Sequence, residues 1–232
     1  MIENRSNDCI SESAQQEFCL GSFFQPRTIT LNNVPGYPSS CTFKISFEYK
    51  WCEVNPGIFD EVQVLMRNFD IVEIDCPQYD QEVDDLINNP CNLCPTVEEY
   101  LLGLDEKLIS LASLDIMNLL KQTHNFNFDC PSGSNLTPFV FSYFQYSCHS
   151  YCLRRLTKTR GGMWLKPIRY ECNGTVCCQV SHSMCIDPIS GDMIIEINKT
   201  SSSQGEEYVC VKPIISNQIC FYQTDCIHSC EN

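Results

Sequence analysis

Basic residues are scarce in this sequence, where 15 lysines and arginines stand against 29 acids and the net charge is −14. A chain so acidic excludes nucleic acid as a partner, because binding to phosphates needs a positive surface. Apolar runs of 18 residues are also absent, so we expect no membrane span. The opening MIENRSNDC is polar where a signal peptide would be apolar, so we interpret the chain as a mature or excised form without its export signal.

Catalytic motifs are absent as well. The sequence has no P-loop, GxSxG elbow, HExxH, GxGxxG or calcium loop of the DxDxDG type. It has one CxxC, Cys91–Cys94, and no second pair that would complete a zinc site. We therefore predict no catalytic residues, no metal and no cofactor, and a protein that is not an enzyme. The alternative is a secreted enzyme whose site is built from scattered residues.

Cysteine, by contrast, is abundant, with 18 in 232 residues. Such a number is rare in a reducing cytosol and typical of secreted proteins whose cysteines form disulfides. The even count allows up to nine bridges, and the localisation that follows is secreted, extracellular or cell-surface. The predicted disulfide cysteines are Cys9, Cys19, Cys41, Cys52, Cys76, Cys91, Cys94, Cys130, Cys148, Cys152, Cys172, Cys177, Cys178, Cys185, Cys210, Cys220, Cys226 and Cys230.

Hydrophobic periodicity predicts an α+β fold, mostly antiparallel sheet with one long amphipathic helix. Residues 41–52 alternate apolar and polar over twelve positions, which predicts a half-buried strand whose two cysteines bond to different partners. Residues 54–76 favour two strands, and residues 77–90 favour a short acidic helix. The long helix is predicted over 96–122, where Thr96 and Glu99 have the spacing of a capping box.

The second half of the chain has the patterns of short strands. Asn173-Gly174 lies between two such runs and predicts a hairpin that sets Tyr170 opposite Cys177. Further strands are predicted at 193–198, 207–213 and 218–223, which together make an antiparallel meander. We expect an acidic N-terminal part, 1–130, and a β-meander part, 131–232; alternatively, the two form one continuous domain.

A basic stretch stands out against the acidic background. Residues 1–116 carry 20 acids and 6 bases, whereas residues 117–232 carry 9 of each. The stretch is interpreted either as a solvated loop or as a basic face that docks on an acidic face of its own chain or of a neighbour. Its residues are Arg154, Arg155, Lys158, Arg160, Lys166 and Arg169.

Two segments resemble Cys-rich secreted proteins of Bacteroidota. These are Pro35-Gly36-Tyr37-Pro38 followed by CTFKISFEYKWC at 41–52, and the Cys177-Cys178 pair followed by Cys185-Ile186-Asp187. The resemblance implies export to the cell surface and a role in surface filaments or near a secretion or gliding apparatus. It implies no catalytic residues, and no C-terminal sorting domain of the usual kind follows Cys230.

Together these patterns predict a secreted, disulfide-stabilised structural subunit of a cell-surface or extracellular assembly. Its partners would be copies of itself or other surface proteins, and the acidic N-terminal half in head-to-tail contact with the basic stretch at 154–169 could propagate into a filament. The alternative is an extracellular adhesin or ligand-binding module that presents the aromatic strand near 139–146. In a eukaryotic secretory protein, four asparagines would be glycan acceptors, namely Asn4, Asn135, Asn173 and Asn198.

Overall fold

A computed structural model describes residues 19, 22–54, 61–91, 93–131, 138–146, 148–159, 161–172, 177–201, 210–213, 215 and 219–228. Within these ranges the chain forms ten strands and two helices. The strands are β1 (Gln25–Leu31), β2 (Thr42–Glu53), β3 (Val62–Asp75), β4 (Phe139–Tyr146), β5 (Cys148–Thr157), β6 (Met163–Glu171), β7 (Cys177–Ile186), β8 (Met193–Ser201), β9 (Tyr222–Gln223) and β10 (Ile227–His228). The helices are α1 (Pro77–Asn88) and α2 (Val97–His124). The predicted α+β class is confirmed.

The strands form two sheets. Sheet A has six strands in the order β1-β2-β3-β4-β7-β8, and sheet B has the order β10-β5-β6, with β9 also paired to β5. The β3–β4 pair is parallel, while the other strand pairs are antiparallel. Sheet A therefore takes strands from both sides of residue 130, and the division into 1–130 and 131–232 stays a prediction.

Strand β2 follows the predicted alternation. Phe43, Ile45, Phe47 and Tyr49 are buried on one face, while the residues between them are partly or fully exposed up to Glu48. The two strands expected over 54–76 are instead one long strand, β3. The strand is irregular near Asn68, whose φ is 53° and where the register with β2 shifts. The irregularity is a β-bulge, which kinks a strand without ending its pairing.

Helix α2 begins at the predicted capping box. The Glu99 backbone N–H donates to Thr96 Oγ1 at 3.3 Å, and the Thr96 backbone N–H donates to Glu99 Oε2 at 2.8 Å. The helix ends at Asn125, which has left-handed φ and ψ. Its buried residues recur every three or four positions and form a single face. They are Val97, Leu101, Leu104, Asp105, Leu108, Ile109, Ala112, Ser113, Ile116, Met117 and Leu120.

Contacts along α2 show that the helix crosses sheet A. Asp115 pairs with Arg27 on β1, whereas Glu106 pairs with Lys199 on β8, at the opposite edge of the sheet. The same helix also contacts sheet B, because Asp105 accepts a hydrogen bond from Tyr151 on β5. One hydrophobic cluster unites residues of both sheets and both helices. Helix α2 thus contacts both sheets, which also meet directly where Lys166 on β6 pairs with Asp70 on β3.

The hairpin predicted at Asn173-Gly174 is wrong. Strand β6 pairs with β5 and places Tyr170 opposite Ser150, while β7 pairs with β4 and β8 in the other sheet. Residues 173–176 lie outside the described residues, and the chain passes from sheet B to sheet A across them. The predicted meander is also wrong as a whole: β5 pairs with β6 and β7 pairs with β8, but β6 does not pair with β7, and β9 pairs with β5.

The remaining C-terminal strands agree only in part with expectation. The strand expected at 193–198 is confirmed as β8, which follows a turn that begins at Asp187. Of the strand expected at 218–223, only β9 forms among the described residues. Residues 210–213 of the strand expected at 207–213 contain an isolated bridge position rather than a strand, and 207–209 lie outside the described residues.

Seven disulfides join cysteines within the described residues. Cys41 and Cys52 bond to different partners, as their opposite faces predicted. Cys177 and Cys178 are also disulfide-bonded, whereas Cys9 and Cys230 lie outside the described residues. Three of the bridges fix the segment 210–228 to β5 and to the end of β6. The seven are Cys19–Cys52, Cys41–Cys76, Cys91–Cys94, Cys130–Cys185, Cys148–Cys210, Cys152–Cys220 and Cys172–Cys226.

Candidate functional site

The predicted basic face makes ion pairs with acids of its own chain. Lys158 Nζ lies 2.8 Å from Asp80 Oδ2, and Lys166 Nζ lies 2.8 Å from Asp70 Oδ2. Both lysine side chains are largely buried, at 10% and 16% exposed. As a docking face, the basic stretch was expected to contact an acidic face of its own chain or of a neighbour. These ion pairs support docking on the acidic N-terminal half of its own chain.

The arginines of the same stretch are also engaged internally. Arg169 pairs with Asp105, and Arg154 donates to the Tyr170 hydroxyl at 3.3 Å. The Arg155 guanidinium lies over the Phe221 ring, 3.7 Å from its centroid, a cation–π geometry. Arg160 lies outside the described residues. Because these lysines and arginines already contact acids and aromatic rings of their own chain, they no longer support a head-to-tail contact between chains.

A buried polar cluster lies where α2 meets both sheets. Arg169 Nε donates to Asp105 Oδ2 at 2.7 Å, and the Tyr151 hydroxyl donates to the same oxygen at 2.8 Å. Arg169 Nη1 also donates to Gln145 Oε1 at 3.2 Å. A charged group inside a protein needs such partners, because desolvation otherwise costs several kcal/mol. The cluster thus ties α2, β4, β5 and β6 together.

The pKa shifts in this region favour a structural role over a catalytic one. Burial raises the pKa values of Tyr143 and Tyr151, so both hydroxyls stay protonated at neutral pH. Burial opposes the charge on Arg169, but Asp105, Tyr151 and Tyr143 together outweigh it and raise the guanidinium pKa. Burial lowers the pKa of His182 to about 4, so its imidazole is neutral at pH 7. These groups hold their protons or charges rather than exchange them near neutrality.

Sequence reasoning missed this cluster because its members are far apart in the chain. Asp105 lies among the acids of a helix, and Tyr151 and Arg169 lie in separate strands. One local signal existed: Asp105 falls on the apolar face of α2 beside Leu101, Leu104 and Leu108. An acid on that face must find a buried cation or donor.

The CxxC pair forms a disulfide in an exposed loop before α2. Cys91 and Cys94 are both exposed, and Leu93 between them is 99% exposed. Cys94 lies two residues before the helix N-cap rather than in the first turn, where the helix would lower a thiol pKa most strongly. This position agrees with a structural bridge more than with a redox centre.

The aromatic strand expected to present a recognition surface is largely core. Phe139, Phe141 and Tyr143 are buried on β4. A groove of about 450 Å³ runs instead along the outer side of α2. Leu111 and Leu114 line it together with Gly103, Glu106 and other residues of the helix.

Apolar side chains are exposed along the β8 edge of sheet A. Strand β8 pairs with β7 on one side, and among the described residues no strand pairs with its other side. Ile194, Ile195 and Ile197 on β8 are 49%, 42% and 52% exposed. Isoleucine at consecutive positions places apolar side chains on both faces of the strand. The consecutive isoleucines in the sequence therefore indicated a strand that is apolar on both faces, but they did not indicate that the strand lies at the edge of the sheet.

One of the four predicted glycan acceptors can be placed. Asn198 is exposed on β8, two residues before Thr200 of its sequon. Asn4, Asn135 and Asn173 lie outside the described residues.

Comparisons with protein-family models, curated proteins and solved structures found no match to this chain. Its class therefore follows from fold and chemistry: a disulfide-stabilised α+β protein of the secreted or extracellular type. In the part of the chain that the structure describes, no helix is long and apolar enough to span a membrane.

Proposed function

We propose that the protein is a structural subunit of an extracellular or cell-surface assembly and that it associates with a second copy through the β8 edge of sheet A. The observation that supports this function is the row of exposed isoleucines on an edge strand. The disulfides suit such a role, because each cross-link restricts the unfolded chain and contributes about 2–4 kcal/mol of stability.

The two edges of sheet A differ in their protection. Strand β1 carries Pro26, which has no backbone N–H to donate, and Arg27, which is paired with Asp115. Proline and charge are the usual means by which edge strands avoid pairing with another chain. Strand β8 has no proline, and its isoleucines are exposed on both faces. It is therefore the edge more suited to pairing.

The exposed isoleucines continue the buried face of the sheet. Ile195 pairs with Met184 of β7, and Ile197 pairs with His182. Both β7 residues are buried beneath α2, so Ile195 and Ile197 lie on the same side as the core. Met193 already packs against that core. A second copy would extend this apolar layer and remove its exposed end from water.

A two-fold register satisfies the side-chain pattern. Antiparallel partners must lie on the same face, so Ile195 can face the Ile195 of a second copy. Met193 then lies opposite Ile197 of the copy, and Ile194 lies opposite Glu196. Like charges do not meet in this register. The contact is isologous and closes as a dimer, which can then act as the unit of a larger assembly.

Sedimentation velocity over a wide concentration range tests the proposal. We expect the wild-type protein to form a dimer with rising concentration and Ile195→Lys to remain a monomer, because a lysine on the edge would bring two like charges together. Ile189→Lys is the matched control, since Ile189 is 95% exposed in the turn before β8. A wild-type monomer at every concentration, or an Ile195→Lys protein that dimerises as the wild type does, would contradict the function.

A further inference from the structure

A histidine lies beside one of the seven disulfides. His228 Nδ1 is 3.6 Å from Cys148 Sγ, and His228 Nε2 is 3.3 Å from Cys210 Sγ. The two sulfurs and an imidazole nitrogen all lie within 4.8 Å of one another. Cys148 is buried on β5, Cys210 is partly exposed and His228 is exposed. The bridge is thus accessible from solvent on its Cys210 side.

We propose that Cys148, Cys210 and His228 form a zinc-binding site that becomes available when the Cys148–Cys210 disulfide is reduced. Thiolate and imidazole are ligands that suit Zn²⁺, whereas calcium and magnesium prefer oxygen. Around a tetrahedral zinc ion, a bound sulfur and a bound nitrogen lie about 3.6 Å apart. His228 Nδ1 lies 3.6 Å from both Cys148 Sγ and Cys210 Sγ, which is close to this value. Solvent can supply the fourth ligand on the exposed side.

The chemistry requires an external dithiol as reductant. The dithiol attacks the disulfide, the Cys148–Cys210 bond breaks, and the dithiol becomes a cyclic disulfide. The two electrons and two protons that it gives up leave Cys148 and Cys210 as thiols. Zinc binding then displaces those two protons and takes an imidazole nitrogen of His228 as its third protein ligand.

The fold keeps Cys148 and His228 in place without this bridge. Strand β10 pairs with β5 and sets His228 opposite Cys148. The Cys172–Cys226 disulfide anchors the chain two residues before His228. These constraints survive the loss of the Cys148–Cys210 bond, so the imidazole and the first sulfur remain neighbours.

Noncovalent contacts hold the segment that carries Cys210. Lys212 Nζ donates to the carbonyl oxygen of Gln223 at 3.1 Å and to Asp225 Oδ1 at 2.9 Å. Gln223 Nε2 in turn donates to the carbonyl oxygen of Pro213 at 2.7 Å. These contacts hold Cys210 near β5 once the bridge is broken, so the three ligands stay close together, and the two sulfurs need only move apart to bind zinc. Ligands held close together in this way lose less conformational freedom on binding zinc than two thiols in a flexible loop would.

The test uses the full chain after limited reduction. Oxidised protein is treated with graded dithiothreitol, the reagent is removed without air, and alkylation with peptide mapping identifies the opened bridges. Zinc binding is then measured by equilibrium dialysis, and Co²⁺ is used as a spectroscopic probe for sulfur ligation. We expect one tightly bound zinc per chain and a sulfur-to-cobalt charge-transfer band once Cys148 and Cys210 are free.

Three variants separate this site from other thiols. His228→Ala should bind zinc on the order of a hundredfold more weakly, because one of three protein ligands is gone. His124→Ala, which removes an exposed histidine elsewhere, should bind as the wild type does. Cys148→Ser/Cys210→Ser keeps the exposed Cys91–Cys94 pair as a two-thiol comparison and should lack tight binding.

Several results would overturn the proposal. One is wild-type protein that binds no zinc although mapping shows Cys148 and Cys210 reduced. Others are unchanged affinity in His228→Ala or tight binding in Cys148→Ser/Cys210→Ser. A Cys148–Cys210 bridge that opens only when the near-UV circular dichroism of the fold is lost would also overturn it. Dimer formation through β8 does not depend on any of these outcomes.

Discussion

Arg169 and Asp105 are 64 residues apart in sequence, yet the arginine Nε lies 2.7 Å from the aspartate Oδ2 in the interior. The pair links α2 to sheet B, and Tyr151 donates to the same carboxylate. The side chains of Arg169 and Asp105 are only 11% and 5% exposed. Removal of one partner would therefore leave a charge in the interior without its counter-ion.

We predict that Asp105→Ala lowers the free energy of unfolding by about 3–5 kcal/mol, because Arg169 loses its counter-ion and Tyr151 its acceptor. Asp225→Ala is the matched control, since Asp225 pairs with Lys212 and their side chains are 84% and 40% exposed. The control should lose less than about 1 kcal/mol. Urea unfolding of the fully oxidised proteins measures both values, and equal losses would contradict the distinction.

His182 gives the protein a specific pH dependence. Burial lowers the pKa of the imidazole in the folded protein from 6.5 to about 4, with smaller opposed effects of Glu106 and Lys199. Between these two values the unfolded chain binds a proton that the folded protein does not bind. Stability from this group is therefore complete above about pH 6.5 and falls as the pH decreases towards 4.

We predict that His182→Gln removes about 2 kcal/mol of the difference in unfolding free energy between pH 7 and pH 4.5. Ser181→Ala, the neighbouring residue on the other face of β7, controls for a change in this strand that removes no ionisable group. Urea titrations of wild type and both variants at the two pH values give the comparison. The same pH dependence in His182→Gln as in wild type would disprove the assignment.

Local patterns predicted the elements better than their partners. The alternation that begins at Cys41 predicted β2, and the Thr96–Glu99 spacing predicted the start of α2, because both signals depend on neighbouring residues. The hairpin at Asn173-Gly174 failed because a turn signal cannot reveal that β6 and β7 belong to different sheets. Strand pairing depends on distant contacts such as the parallel β3–β4 pair.

The candidate sites show the same limit. The charge count predicted that the basic stretch could dock on an acidic face, but it could not identify Asp70 and Asp80 as the partners of Lys166 and Lys158. The charge count gives the sign of each region, but only the fold decides which lysine contacts which aspartate. Similarly, His228 and Cys148 are brought together only by the pairing of β10 with β5.

The capping box of α2 offers a local test of helix stability. Thr96→Ala removes the acceptor of the Glu99 backbone N–H and should cost about 1 kcal/mol. Thr123→Ala is the control, since its hydroxyl donates to the Leu119 carbonyl within the last turn of α2. That change should be close to neutral, because alanine favours the helix and the lost bond is local. Urea unfolding distinguishes the two, and a neutral Thr96→Ala would show that the cap contributes little.

Gly103 is the residue of α2 whose replacement should stabilise the fold. A Cβ at this position would meet no atom within 4 Å, and the backbone is helical. Alanine would reduce the freedom of the unfolded chain and raise stability by about 0.5–1 kcal/mol. For a chain of this size, that corresponds to a rise in Tm of about 1–4 °C.

Gly191 is the matched control for that substitution. A Cβ there would also meet no atom within 4 Å, but its φ of +75° lies in the left-handed region. Gly191→Ala should therefore lower Tm through backbone strain, although neither alanine creates a clash. Calorimetry of the oxidised proteins should give shifts of opposite sign. Shifts of the same sign would mean that backbone conformation does not decide the effect of alanine at these two positions.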